Sequence, residues 1–129
     1  MTETRRHCSG RIEVMKFETD PSDNGQILTL SCARLTEKFS GGLEGVGSAQ
    51  LVLAREESGA LHFCGIERFV GMLDGLAGSF LFQNCGTLKD GVLDSTWRII
   101  SGSGTEDLKH LGAEGACSPA GYTLHYWFG

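Results

Sequence analysis

The feature that most constrains this chain is its punctuation. A loop, Pro21-Ser22-Asp23-Asn24-Gly25, is followed at fairly even intervals by Gly41-Gly42, Ser58-Gly59, Asp74-Gly75 and Asp90-Gly91. Glycine takes the positive φ of a tight hairpin turn at little cost, and Asn or Asp beside it does so more readily than other side chains. With 19 glycines against 2 prolines, the turns rest on residues that leave strand pairing intact on either side. The intervening runs predict strands over Arg11–Thr19, Ile27–Ser40, Leu43–Arg55, Leu61–Leu73, Ala77–Leu88, Val92–Ile100 and Tyr122–Phe128, with a shorter one over Ala113–Cys117. Seven or eight strands joined by tight turns have one economical arrangement, a sheet that curls until its edges meet.

Alternation within the strands assigns their faces. In Val92–Ile100, Leu93, Ser95, Trp97 and Ile99 alternate with Asp94, Thr96 and Arg98, so the Trp97 side is the buried one. Tyr122, Leu124, Tyr126 and Phe128 share a face opposite Thr123, His125 and Trp127, which points His125 and Trp127 outward. Leu61–Leu73 is ambiguous: Phe63, Gly65, Glu67, Phe69 and Gly71 oppose His62, Cys64, Ile66, Arg68 and Val70. Phe80, Phe82 and Asn84 against Leu81, Gln83 and Cys85 leave the same doubt about direction. Two apolar faces fit a barrel whose outer wall meets a second subunit or a covering segment. The segment from Gly102 to Gly112 departs from the pattern and predicts a short helix, with Thr105 as N-cap, Glu106 and Asp107 in the first turn, and Gly112 as the left-handed residue after the end.

At 129 residues the chain is expected to form one domain, burying roughly two thirds of its unfolded surface. A hydrophobic fraction of 40% with 21% charged residues belongs to a globular chain. A net charge of −5 argues against nucleic acid as a partner, because that binding relies on clustered Lys and Arg. No apolar run approaches the ~20 residues of a membrane helix, and Met1–Arg6 has no apolar segment behind it, so a cytoplasmic protein with no membrane partner is expected. The five cysteines are odd in number, widely spaced and without a C-x-x-C pair. They are expected to be free thiols in a reducing compartment. His7, His62, His110 and His125 are scattered, which gives no metal site, and Gly102-Ser103-Gly104 lacks the rest of a phosphate-binding motif.

Four stretches carry a family likeness. They are Phe63-Cys64-Gly65-Ile66-Glu67-Arg68-Phe69-Val70-Gly71; Gly78-Ser79-Phe80 with Gln83-Asn84-Cys85-Gly86-Thr87-Leu88; Trp97 leading to Gly102-Ser103-Gly104-Thr105, Leu108 and Leu111; and Tyr122-Thr123-Leu124-His125-Tyr126. Together, from about Gly10 to Phe128, they resemble an uncharacterised family of small bacterial proteins with an allene-oxide-cyclase-like barrel. The resemblance implies an eight-stranded barrel; with the readings above, the expected fold is an all-β, eight-stranded antiparallel barrel with one short helix before the last strands. Wider relatives of that shape hold greasy, flexible substrates in the lumen without a cofactor, although a shared fold does not fix a function. Members of the resembled family tend to carry His where this chain has Asn84, and an acidic residue where it has His125. A neutral amide cannot act as a base, but it can keep a hydrogen bond.

Candidate chemistry follows from residue type. Glu67 lies mid-strand among apolar residues; in an apolar lumen its pKa would rise and it could act as acid or base, whereas on the surface it would be solvated or paired with Arg68 or Arg98. Asn84 and Gln83 could donate to a carbonyl or enolate, or simply bond across strands. Tyr122, Tyr126 and Trp97, with Phe63, Phe80 and Phe82, would line either an apolar pocket with a few polar tips or a solid core. Catalytic roles are therefore expected at Glu67, Asn84 and Tyr126, and ligand contacts at Phe63, Phe80, Phe82, Gln83, Trp97 and Tyr122, with neither cofactor nor metal. The expected function is binding of an apolar small molecule, followed by its cofactor-free cyclisation or isomerisation. Holding a substrate in a reactive shape can supply roughly 7–11 kcal/mol of such a barrier. The alternatives are a non-catalytic carrier and a solid-core barrel acting through its surface, as an oligomer.

Overall fold

The computed structural model describes residues 4–20 and 29–129. Eight strands follow one another around a closed antiparallel barrel: β1 (Arg6–Thr19), β2 (Thr29–Gly41), β3 (Leu43–Arg55), β4 (Leu61–Leu73), β5 (Leu76–Lys89), β6 (Val92–Ile99), β7 (Leu111–Ser118) and β8 (Gly121–Phe128). Every strand pairs with its sequence neighbour, and β1 closes on β8 from Arg6 opposite Tyr126 to Gly10 opposite Tyr122. Closure leaves no edge strand unpaired, which is why a meander of this length rolls up.

The turns take the backbone their residues favour. Asp74 and Gly75 have φ of 47° and 86°, and Asp90 and Gly91 have 51° and 77°. Two successive positive φ values make a type I′ turn, whose twist matches that of the flanking strands. The Asn24-Gly25 turn expected between β1 and β2 lies outside the described residues.

The short helix does not form as expected. Only Glu106–Leu108 make a single 3-10 turn, and Gly112 is already inside β7. Thr105 does not cap it; its Oγ1 instead accepts from Ser79 N at 3.0 Å, while Ser103 Oγ accepts from Leu81 N at 3.0 Å. The reason lies in strand lengths. β5 has 14 residues and β6 has 8, so β6 covers only Phe82–Lys89 of β5. The Ile100–Thr105 segment satisfies β5 backbone at Ser79 and Leu81, beyond the reach of β6, with Ile100 N donating to Leu81 O and Thr105 N to Ser79 O, and pairing that backbone outweighs a marginal two-turn helix. Leu108 is thereby delivered, fully buried, against Gly78.

The cysteine expectation also needs correction. Cys64 and Cys85 face each other in register across β4 and β5, with Cα atoms 4.0 Å apart, and are joined by a disulfide. Their 21-residue separation hid the pairing, because only hairpin register brings them together. Cys8, Cys32 and Cys117 are free. Among the described residues, no helix is long and apolar enough to cross a membrane.

Candidate functional site

The faces left ambiguous by alternation are settled by closure. Phe63, Glu67 and Phe69 of β4 point inward, as do Phe80, Phe82 and Asn84 of β5 and Trp97 of β6. The lumen then divides into two halves along the barrel axis.

One half is solid. Phe39 packs edge-on against Phe69, Trp97 and Tyr122 at centroid distances of 5.4, 5.8 and 5.9 Å, and Trp97 stacks on Tyr122 at 5.5 Å. Phe80 and Phe82 continue this cluster, and Leu43, Leu73, Leu108 and Leu111 fill its end. Quadrupolar rings favour such tilted and offset contacts. The polar tips here are already engaged. Tyr122 Oη accepts from Leu43 N at 2.8 Å and donates to Ser40 O at 2.8 Å. Tyr126 Oη donates to Asp74 Oδ2 at the closed end. Burial, then Asp74, pushes Tyr126 up to about 12.

The other half holds a cavity of about 460 Å³. Its walls are Ile12, Val14, Leu35, Leu51, Leu53 and Phe63, and its mouth carries Phe17, Arg55, Leu61 and Leu88. Glu37, Asn84, Ser95, Trp97 and Cys117 border it as well, all of them buried. This is the usual constitution of a small-molecule site, apolar with a few polar groups.

An acid pair spans that polar floor, with Glu37 at the cavity and Glu67 behind it. Glu67 is wholly buried, and Asn84 Nδ2 donates to its Oε1 at 3.1 Å. Glu37, on β2, lies within hydrogen-bonding reach of Glu67, on β4. They meet because the intervening strand carries glycine at that height. Gly47 of β3 is the register partner of Glu37, and a Cβ there would lie 2.1 Å from Glu67 Oε2. Two carboxylates cannot both ionise in so dry a place. Burial, then the hydrogen bond and charge of Glu37, pushes Glu67 up to about 9, against the weaker opposing pull of Asn84. Burial raises Glu37 too, against the pull of its contact with Glu67, so the pair as a whole is held partly protonated. Neither Glu67 Oε2 nor Glu37 Oε2 has a hydrogen-bond partner among the described residues, a deficit that a protonated acid in the pair would relieve.

The expected site residues therefore separate. Phe63, Asn84 and Trp97 border the cavity, and Glu67 lies one contact behind it. Phe80, Phe82, Tyr122 and Tyr126 belong to the solid half, where packing and existing hydrogen bonds occupy them. Gln83 is exposed on the outer wall, because the pleat turns it away from Asn84. Glu37 was not anticipated. Its signal was present in the alternation Ala33, Leu35, Glu37, Phe39, but Thr36 and Lys38 beside it give β2 the look of a solvated strand. Cys117 also borders the cavity; burial and the two glutamates push its thiol up to about 11, leaving it protonated and a poor nucleophile at neutral pH. Among the described residues there is no group of His, Cys, Asp and Glu that could hold a metal ion.

No match to this chain was found among curated proteins. A crystal structure of a protein of unknown function from the DUF3224 family of Shewanella oneidensis MR-1 is similar in fold, at a TM-score of 0.73 and 23% identity, over 99% of this chain and 97% of that one. Residues 8–129 match the family described as "Protein of unknown function (DUF3224)", and the chain belongs to that family.

Proposed function

We propose that the barrel binds an apolar small molecule in the open half of its lumen, as an allene-oxide-cyclase-like barrel, and converts it by cofactor-free cyclisation or isomerisation. The observation that carries this reading is the 460 Å³ cavity, walled by aliphatic side chains and floored by Glu37, Asn84 and Trp97. The walls fold the substrate. Glu37 is the acid group that meets it, and Glu67 holds the proton that Glu37 would pass on or take up. Asn84 positions Glu67 through its amide donor. Native mass spectrometry of protein purified from its own source tests the first half of this reading, since a reproducible small-molecule adduct is expected. Incubating that adduct tests the second half: turnover should occur, and Glu37→Gln should abolish it while leaving binding in place.

A carrier is the second reading, favoured by the absence of direct cavity contact at Glu67, the most strongly perturbed acid. Under it, the adduct stays unchanged on incubation. Exposed Val46, Val70 and Met72 on the outer wall of β3 and β4 support self-association, for which the mass of the native particle is the check. The compartment proposed is the cytoplasm, on composition; the Cys64–Cys85 bond stands against it, and counting thiols in protein taken directly from cells decides.

A further inference from the structure

Asn84 Nδ2 is taken by Glu67 Oε1, but among the described residues two other buried polar atoms, in residues that border the cavity, have no partner, as one oxygen of each acid has none: Trp97 Nε1, which can only donate, and Asn84 Oδ1, which can only accept. Trp97 and Asn84 are only 4% and 5% exposed. They are also direct register partners across β5 and β6, with side chains on the same, inward face. Directly opposed residues carry Cβ atoms about 4.5–5.5 Å apart, so the two side chains are neighbours beside the cavity. A buried donor and acceptor left unpaired are costly, so a ligand that pairs both gains more than one that pairs either.

The group that answers a lone donor and a lone acceptor at one point is a hydroxyl. Its oxygen accepts from the indole N–H and its hydrogen goes to the amide oxygen. A carboxylate has no hydrogen to give, and at this depth it would face Glu37 with no cation beside it, since Arg55 stands at the mouth. A carbonyl answers only Trp97. At the about 30 Å³ a water-sized group takes in a liquid, the cavity has room for on the order of fifteen such groups, enough for a fused bicyclic ring or a short terpenoid.

Resting on the proposed lumen-binding function, we propose that the ligand is an uncharged alcohol, phenol or enol whose hydroxyl seats between Trp97 Nε1 and Asn84 Oδ1, with its apolar body toward the mouth. The test is calorimetric titration of the full-length protein with 2-naphthol, 2-methoxynaphthalene and naphthalene at pH 7. These three share a body, while the ether keeps only the acceptor and the hydrocarbon keeps neither. The expected order is naphthol, then ether, then hydrocarbon, with naphthol at least about tenfold tighter than naphthalene, the effect of one net hydrogen bond. Trp97→Phe keeps a ring against Phe39, Phe82 and Tyr122; it should shrink the ratio of naphthol to naphthalene affinity by a similar factor, whatever it does to both in common. Equal affinities across the wild-type series would overturn the hydroxyl seat while leaving lumen binding standing, and would assign the two polar atoms to a bridging water. Binding by none of the three overturns both. The wild-type series alone decides, whether or not the variant folds.

Discussion

Glu67→Gln should make this protein more stable, and increasingly so as pH rises. In the folded state burial beside Glu37 raises Glu67 to about 9, so the pair keeps a proton that the unfolded chain releases above the ordinary value of 4.5. Between those limits the folded state binds more protons, so wild-type stability falls as pH rises. That cost accumulates at about 1.4 kcal/mol per pH unit, reaching about 3 kcal/mol at pH 7 as a ceiling, because the proton is shared with Glu37. Glutamine copies the protonated acid without titrating. Its oxygen can accept from Asn84 Nδ2 as Glu67 Oε1 does, and its NH₂ can donate to Glu37. The assay is urea denaturation of both proteins at pH 5, 7 and 8.5. The two should lie within about 1 kcal/mol of each other at pH 5 and separate steadily above it, with Glu67→Gln the more stable. Parallel pH profiles, or a wild type that gains on the variant as pH rises, would refute the shared-proton account.

Three further outcomes are expected. Gly47→Ala puts a Cβ 2.1 Å from Glu67 Oε2 and 2.7 Å from Phe39 Cε1, which should cost about 1–3 kcal/mol in denaturation; coupling it with Glu67→Ala should recover part of that loss. Tyr122→Phe strands the Leu43 N–H, which donates to the phenol oxygen at 2.8 Å, and should cost roughly 1–3 kcal/mol without altering ligand affinity, since Tyr122 is outside the cavity. Denatured but unreduced protein should titrate three thiols, Cys8, Cys32 and Cys117. After reduction it should titrate five, with a loss of about 3 kcal/mol for opening a loop of this length; five thiols at the outset would rule out the disulfide.

Much of the architecture was legible because it is local. Five strands' bounds, Leu43–Arg55, Leu61–Leu73, Ala77–Leu88, Val92–Ile100 and Tyr122–Phe128, fall within one residue of those found, because Gly-bearing turns and period-two alternation are written into neighbouring residues. The predicted helix over Gly102–Gly112 failed for a non-local reason: unpaired β5 backbone claimed Ser103 and Thr105.

The site was legible only in part. Alternation states whether a side chain faces the lumen, and it placed Trp97 inward and His125 outward. It does not state at what height along the barrel axis the side chain sits, because height is set by the stagger accumulated around the closed sheet. That stagger puts Tyr126 at the closed end beside Asp74 and Phe80 in the solid half, and leaves Phe63 at the cavity. It also brings Glu37 and Glu67 together across Gly47, three residues on three strands whose convergence no single stretch of sequence contains. The sequence by itself determined a rolled-up meander with an aromatic interior. Tertiary structure decided which half of that interior is open and which acids meet beside it, since both depend on how the strands are offset when the barrel closes.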